Sequence, residues 1–480
     1  VARRGIPPQH SPTMTSEAPV AAQPNPVIPD RVPFREALRV WATIGFLSFG
    51  GPAGQIAMMH TELVDRRKWI DEERFLHALN YCMLLPGPEA QQLATYIGWL
   101  MHRTRGGIAA GLLFVIPGFF GMLLLAALYA GFRELPIVSA LFFGLKAAVL
   151  AVVVEAIQRI GRRALKTRLM VGVAAVAFVA IFFFDVPFPI VVLAAGLFGA
   201  LGRRVRPSAF PAPSAIAVDG EHASVIDKMA ARGELEHTRP SKLGAARVII
   251  VCGLIWVLPI ALAALLFGRG SVFVQEGIFF SKTAVVTFGG AYSVLAYIAQ
   301  QAVDTYHWLA PGEMLDGLGL AETTPGPLIL VTEFVGFLAA HRNPGDLPPM
   351  AAGVLGATIT TWVTFTPCFF FIFLGAPYIE GLRNHRGLHA ALSSITAAVV
   401  GVILNLAIWF GLHVIFGEVH EEFLGPLHLH VPVLSSIDLA AALLAALAML
   451  AMFRFHLGLA RTLAASALLG LIYQLAIAAS

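Results

Sequence analysis

Long apolar runs separated by short polar loops dominate the chain from about residue 34 onward. The run at 168–185, RLMVGVAAVAFVAIFFFD, and an Ala/Leu-rich run at 437–453 approach or reach the ~20 residues that a helix needs to span a bilayer. Outer-membrane strands would instead be short and alternate between polar and apolar residues. The pattern therefore predicts an all-α, polytopic membrane protein, with the lipid bilayer as its surroundings.

Composition supports this class and excludes others. Of 480 residues, 57% are hydrophobic and 13% charged, and the mean hydropathy is +0.76. The Lys and Arg residues behind the formal charge of +4 cluster in loops between apolar runs, which is a signal of membrane topology and predicts no nucleic-acid partner. Three distant cysteines within apolar segments suggest packing, with neither disulfides nor a Cys-based metal site.

Motifs of catalysis are missing from the sequence. There is no phosphate-binding loop with a following Lys, no zincin helix and no nucleophile elbow, which argues against an ATP-driven pump or a simple hydrolase. The His-rich loop at 412–430 contains imidazoles and carboxylates, but without a recurring helical or finger-like ligand spacing. We therefore expect an exposed polar loop there, no metal and no enzyme activity.

The sequence repeats itself at a fixed distance, which indicates an internal duplication. Three motifs recur 239 positions later, and after an insertion at 341–349 two further matches recur at 250. The pairs are SFGG 48–51 with TFGG 287–290, Trp69 with Trp308, PGP 86–88 with PGP 325–327, Pro117 with Pro367, and AAV 147–149 with AAV 397–399.

The domain organisation follows from these repeats. A Pro-rich polar segment at each boundary indicates a disordered tail and a linker. The predicted units are a disordered tail at 1–33, a first repeat at 34–202, a cytoplasmic linker at 203–243, an additional transmembrane helix at 244–268 and a second repeat at 271–480.

The additional helix would invert the second repeat relative to the first. Basic residues at 159–168 and in the linker place those segments in the cytoplasm, whereas the loop after 388–412 is acidic. We therefore predict inverted-topology repeats. The loop RRKW at 66–69 leaves two arrangements open. The FGG and PGP segments either cross the membrane fully or dip in and return as helical hairpins, and the basic loop favours hairpins.

The FGG and PGP motifs break helices inside apolar segments. Pro removes a backbone donor and Gly permits unusual conformations, and in a membrane such breaks survive only where protein or a cavity satisfies the backbone. A helix that begins at mid-depth directs unpaired N–H groups at an anion. We expect the four breaks to converge, with donors nearby from Ser48, Gln55, Gln91, Gln92, Thr287, Thr323 and Thr324, and with close approach at Gly50, Gly51, Gly289 and Gly290.

Ionisable residues within apolar segments are costly and point to function. Lys146 and Glu155 lie nine residues apart, so they do not share a helix face, and both are candidates for energy coupling. Glu155 also fits a simple i,i+4 ion pair with Arg159. We expect Lys282 to be a cation facing a cavity. For Glu89 and Glu333 both a functional and a packing role remain open.

Two stretches resemble the chromate ion transporter family. They are 46–120, with FLSFGG and LLPGPEAQQ, and 287–337, with TFGG and TTPGP, and the resemblance covers about 34–157 and 273–407. It implies a long-chain, two-domain member that exports chromate across the inner membrane of a bacterial cell and confers resistance, with sulfate as a competing oxyanion and a second copy of the chain as a candidate partner. It implies no organic cofactor.

The resemblance also implies a substrate site at the shared motifs. Its positions here are Phe49, Gly50, Gly51, Pro86, Gly87, Pro88, Phe288, Gly289, Gly290, Pro325, Gly326 and Pro327, with Lys282 as the basic residue before the second FGG. The repeats differ after PGP, where the first has EAQQ at 89–92 and the second has LIL at 328–330. We therefore expect the substrate path to be chemically asymmetric. The alternatives are a sulfate or general oxyanion carrier, a lipid-phosphate enzyme, which would need clustered carboxylates, and a scaffold without transport.

Overall fold

A computed structural model describes residues 29–49, 51–205, 224–288, 290–378 and 386–479. Most of the predicted disordered tail, part of the linker, and the predicted site residues Gly50 and Gly289 lie outside these ranges. The described residues form seventeen α-helices and one β-hairpin, and seven of these helices are long and apolar enough to cross a membrane. The prediction of an all-α polytopic membrane protein is thereby confirmed.

The helices follow the two repeats. The first repeat contains α1 Phe34–Leu47, α2 Gly51–His60, α3 Glu72–Cys82, α4 Glu89–Phe132, α5 Pro136–Ala164, α6 Arg168–Phe184 and α7 Phe188–Val205. Between the repeats lie α8 Val225–Ala231 and α9 Lys242–Phe267. The second repeat contains α10 Val272–Val286, α11 Ala291–Gln300, α12 Pro311–Thr323, α13 Val331–Arg342, α14 Pro349–Gly375, α15 Arg386–Ile415, β1 Val419–Leu424, β2 Leu427–Pro432, α16 Leu439–Phe453 and α17 Leu459–Ala479.

Helix α4 consists of two arms that fold back on each other. The backbone leaves helical geometry at His102 and Arg103, and Arg103 adopts a left-handed conformation with φ 55°. Beyond this turn Gly106 packs directly against Gly98, because small residues let two helices approach closely. In the second repeat the equivalent arms are the separate helices α13 and α14. The turn between these helices, at 343–348, lies within the insertion at 341–349.

The helices that flank the FGG and PGP breaks are too short to span a bilayer. Helix α1 has 14 residues, and α2 has 10 and continues as the π-helix Thr61–Arg66 for another 6. At no more than 1.5 Å per residue these two segments reach about 21 and 24 Å, whereas the hydrocarbon core is about 30 Å thick. Each helix can therefore connect one end of the bundle with its middle, but it cannot connect the two ends.

In the first repeat both outer connections lie at the same end of the bundle. Arg67 forms an ion pair with Glu36 at 3.6 Å, so the loop between α2 and α3 lies beside the start of α1. His102, at the turn of α4, hydrogen-bonds the carbonyl of Val32 at 2.8 Å. The chain thus turns back at each break, and α1–α2 and α3–α4 are helical hairpins. We call this the basic end, since it contains Arg66, Arg67, Lys68, Arg103 and Arg105.

The loop of the second repeat lies at the opposite end. Arg342 donates to the carbonyl of Trp308 and to the buried carboxylate of Glu313, at 2.8 and 2.7 Å. Glu313 also binds Arg133, which directly follows α4. Helix α14 packs along α4 with Phe369 against Gly111.

The segment between the repeats attaches to the basic end. The backbone N–H of Val225 donates to the carbonyl of Lys68 at 3.0 Å, and His237 hydrogen-bonds the carbonyl of Trp99. Burial lowers the pKa of His237 below its ordinary value. Helix α9 then crosses to the opposite end with most of its apolar side chains exposed, as expected for a lipid-facing helix. The predicted linker therefore includes a docked helix, α8.

Candidate functional site

Each PGP break is hydrogen-bonded to the FGG break of the other repeat. The N–H of Gly87 donates to the carbonyl of Thr287 at 2.8 Å, and the N–H of Gly326 donates to the carbonyl of Ser48 at 2.8 Å. These bonds are equivalent under the 239-residue register. We call the contact of Gly87 with Thr287 break pair I and the contact of Gly326 with Ser48 break pair II.

Glycine is required at both PGP breaks by backbone conformation and by space. Gly87 has φ +121° and Gly326 has φ +94°, which side chains other than glycine rarely adopt. A β-carbon on Gly87 would also come within 2.8 Å of the sulfur of Cys368. At the FGG breaks, the hydroxyls of Ser48 and Thr287 donate to the carbonyls four residues earlier, at 2.6 and 2.5 Å. Protein groups therefore satisfy the opened backbone at these points.

Both break pairs lie near the middle of the long helices. Gly326 rests on Gly118, which is halfway along the arm 104–132 of α4. Gly87 rests on Cys368 in α14. Two crossed pairs of helix breaks, held together by protein at this depth, match the discontinuous helices that form binding sites in transporters.

Break pair I carries polar side chains. Glu89 begins α4, and its carboxylate lies next to Gly290, about 3.7 Å from where a β-carbon would be placed. Gln92 donates to the carbonyl of Pro86 at 2.8 Å. Gln91 is fully buried, and neither atom of its amide has a hydrogen-bond partner within the described residues. An unpaired buried amide is costly, which makes Gln91 a candidate ligand contact.

Further charged groups face break pair I from helices α5, α11 and α12. Tyr292 donates a hydrogen bond to Glu322, and Arg159 and Glu155 act electrostatically on this pair. Arg163 acts in the same way on Glu89. Gly161, midway between these arginines, packs beside Val400 in the middle of α15, and Arg159 is partly buried whereas Arg163 is exposed.

Sequence reasoning missed Arg159 and Arg163 as site residues, because it used them only as a topology signal. A usable signal was present, since Glu155, Arg159 and Arg163 are spaced by four residues and share a helix face. Glu155 and Arg159 stand 3.9 Å apart, which agrees with the simple ion pair. Lys146 instead pairs with the buried Asp316 at 3.4 Å, toward the opposite end.

Break pair II is mostly apolar, and its polar groups have partners. Gln55 donates to the carbonyl of Gly326 at 2.6 Å, and the Thr324 hydroxyl donates to the carbonyl of Ala321 at 3.0 Å. The residues after Pro327 are Leu328, Ile329 and Leu330, all buried. Of the other predicted site residues at this pair, Pro325 is half-buried and Phe49 is 47% exposed.

Lys282 differs from expectation. Its side chain is exposed on the surface of α10, on the same face as the exposed Ile278 and Val285. The reason is helical periodicity, because Thr283 and Ala284 form the buried face of that turn. The other predicted positions, Gly51, Pro86, Pro88 and Phe288, lie at the breaks as expected.

The second repeat contains two acids that the first repeat lacks. Glu276 in α10 and Glu333 in α13 are fully buried, and neither carboxylate oxygen of Glu276 has a hydrogen-bond partner within the described residues. Alanines, Ala37 and Ala94, occupy the equivalent positions of the first repeat. Two buried carboxyls in one repeat only add to the chemical difference between the halves.

A polytopic helical bundle with crossed helix breaks at mid-depth has the architecture of a membrane transporter. The sequence profile of the chromate transporter family matches residues 35–200 and 274–471, and the chain belongs to this family. It is 31% identical to a chromate transport protein of Pseudomonas aeruginosa, over 78% of this chain and 80% of the relative. It is 27% identical to a chromate transport protein of Cupriavidus metallidurans, over 78% and 82%. No solved structure matches the chain. Membership of the chromate transporter family makes the chain a transporter and not an enzyme.

Proposed function

We propose that this protein is a secondary active transporter that exports chromate across the cytoplasmic membrane and thereby confers chromate resistance. The relatives described above are named for chromate transport. The observation that carries the proposal is break pair I, where the unpaired Gln91 amide lies in the first turn of α4 and where Arg163 and Arg159 are near enough to act electrostatically on Glu89 and Glu322.

These groups suit a tetrahedral dianion. The first turn of a helix presents N–H groups and a partial positive charge, and guanidinium groups donate paired hydrogen bonds to oxyanions. Glu89 and Glu322 stand near the same arginines. A carboxylate repels a dianion, so protonation of these acids would favour anion binding. A site that holds the anion and a proton together moves both in one direction, so the inside-negative membrane potential, and not the inward proton gradient, would drive export.

We further infer that the repeats have inverted topology and that the basic end faces the cytoplasm. The loop of the first repeat pairs Arg67 with Glu36 at the basic end, and the loop of the second repeat binds Arg342 at the opposite end. The concentration of Lys and Arg at one end supports its cytoplasmic assignment. Chromate would then enter from the basic end and leave at the opposite end.

A second candidate function is transport of sulfate or of oxyanions in general. Chromate and sulfate have the same charge and tetrahedral shape, and both would accept hydrogen bonds from the amide of Gln91 and from arginine. The two functions differ only in the preference of the site, so competition between the two anions decides between them.

Everted membrane vesicles and proteoliposomes containing the full chain test both proposals. We expect uptake of chromate into everted vesicles when a membrane potential, inside positive, is imposed, and no stimulation when only a pH gradient, inside acidic, is imposed. Excess sulfate should inhibit weakly if chromate is preferred. Uptake of sulfate in preference to chromate would support the second function, and uptake of neither anion under either gradient would refute both.

A further inference from the structure

The β-hairpin between α15 and α16 brings together side chains that are well separated in sequence. Glu421 on β1 lies directly opposite His430 on β2. His428 lies two residues before His430, so it projects from the same face of the strand. One ligand atom from each of these three residues lies within 4.8 Å of the others. We call this cluster the hairpin site.

We propose that the hairpin site binds a divalent transition metal, with Zn²⁺ as the best match. Two imidazoles and one carboxylate form a common zinc ligand set that leaves a position open, and imidazole suits Zn²⁺, Cu²⁺ and Ni²⁺. Ligand atoms at about 2.0–2.1 Å from one tetrahedral metal stand roughly 3.4 Å apart. The ligand atoms, which lie within 4.8 Å of one another, therefore need to approach by at most about 1.5 Å.

The ring of His428 has the orientation expected of a metal ligand, with one nitrogen held by a carboxylate and the other unpaired within the described residues. It is 8% exposed, and its Nδ1 hydrogen-bonds the Asp185 carboxylate at 2.6 Å. Its Nε2 lies 3.5 Å from the Glu421 carboxylate and has no hydrogen-bond partner within the described residues. A carboxylate that holds one imidazole nitrogen while the other binds the metal is the usual support of such sites. A buried imidazole nitrogen without a partner is otherwise costly.

The imidazole of His430 also has a buried nitrogen, Nδ1, without a hydrogen-bond partner within the described residues. Aromatic packing accounts for the ring positions, because Phe423 stacks on His428 with centroids 4.4 Å apart and Phe182 lies 5.6 Å from His430. Packing does not account for the polar atoms that are left unsatisfied, and a metal ion does.

The metal would fasten the hairpin to the membrane helices. Asp185 ends α6 in a left-handed conformation, with φ 49°, at the opposite end of the bundle. Through His428 the ion would hold the hairpin against this helix end. The site is separate from both break pairs, so this proposal does not rest on the transported substrate.

The test is titration of the purified full chain with ZnCl₂ after removal of metal by a chelator, followed by calorimetry. We expect one Zn²⁺ per chain, and with Co²⁺ the visible absorption of a tetrahedral site. His428→Ala and His430→Ala should abolish this binding, and Asp185→Asn should weaken it by about 10- to 100-fold. His420→Ala is the matched control, since His420 is exposed on the other face of β1.

Thermal unfolding keeps the test interpretable when a variant is less stable. A metal that binds only the folded chain raises the melting temperature. Zn²⁺ should therefore stabilise wild type and His420→Ala, and should leave His430→Ala unchanged. The proposal is wrong if wild type binds no Zn²⁺, or if His430→Ala and His420→Ala bind it with equal affinity.

Discussion

Break pairs I and II have the same backbone but different chemistry. In both, a glycine N–H donates to a carbonyl of the other repeat at 2.8 Å. In pair I the neighbouring Gln91 is buried with an unpaired amide, whereas in pair II Gln55 is bonded to the carbonyl of Gly326. The two repeated sequence motifs therefore build a symmetric backbone frame. Differences at a few positions give break pair I polar side chains that break pair II lacks.

The register shows where the halves have diverged. Positions that are polar at break pair I correspond in the register to apolar positions at break pair II. Protein interiors tolerate buried polar groups only where these are hydrogen-bonded or serve a function. The equivalent positions are Glu89 and Leu328, Gln91 and Leu330, Tyr292 and Ala53, and Glu322 and Met83. We propose that pair II serves structure and that pair I binds the anion.

The largest expected effect tests the shared frame. Gly87→Val and Gly326→Val should each remove most of the folded protein from the membrane, because both force a side chain into a left-handed conformation and into crowded space. Membrane protein level and thermal unfolding in detergent measure this. Gly253→Val on α9 is the control, since no atom lies near its added β-carbon. If only one of the two break variants lost folded protein, the frame would not be symmetric.

The next effect tests the charge at break pair I. Arg163→Ala should weaken chromate transport by about ten- to 100-fold, because a hydrogen bond to a charged group is worth about 1.5–3 kcal/mol. Transport in everted vesicles as a function of chromate concentration measures the loss. Arg162→Ala is the control, since Arg162 is exposed like Arg163 but lies off the helix face shared by Arg159 and Arg163. Equal losses in both variants would indicate a general charge effect instead of a site.

A smaller effect separates the two break pairs directly. Gln91→Leu gives the first repeat the residue type of the second, and we expect a loss of roughly tenfold in chromate transport with little change in stability. Thr324→Val is the matched change at pair II, where the hydroxyl only donates to a backbone carbonyl. If Thr324→Val were the more harmful change, the anion site would belong to pair II.

Much of this arrangement could be predicted from the sequence. Apolar run length predicts the helices, and a constant register of 239 predicts that Gly87 and Gly326 are equivalent. The crossed pairing could not be predicted, because periodicity says nothing about which repeat a break contacts. The electrostatic influence of Arg163 on Glu89 was missed because a basic residue after a long apolar run is usually read as a loop.

Strand pairing explains why the hairpin site could not be predicted from the sequence. No helical or finger-like spacing relates Glu421 to His428 and His430, and the sequence predicted an exposed loop without metal. The antiparallel hairpin places Glu421 opposite His430, and a β-turn register of this kind depends on tertiary context as well as on turn residues. Ligand spacing in sequence is informative for helices and fingers and much less so across two strands.

The smallest expected effect concerns Lys282, which the resemblance to the family placed in the site. Because its side chain is exposed on the surface of α10, Lys282→Ala should change chromate transport by no more than about twofold, as for most surface substitutions. The same vesicle assay, with Arg163→Ala as the positive control, measures this. A loss as large as that of Arg163→Ala would place a second cationic contact on α10, outside break pair I. The anion path would then follow the surface of the second repeat, and the polar asymmetry of the two break pairs would no longer identify the site.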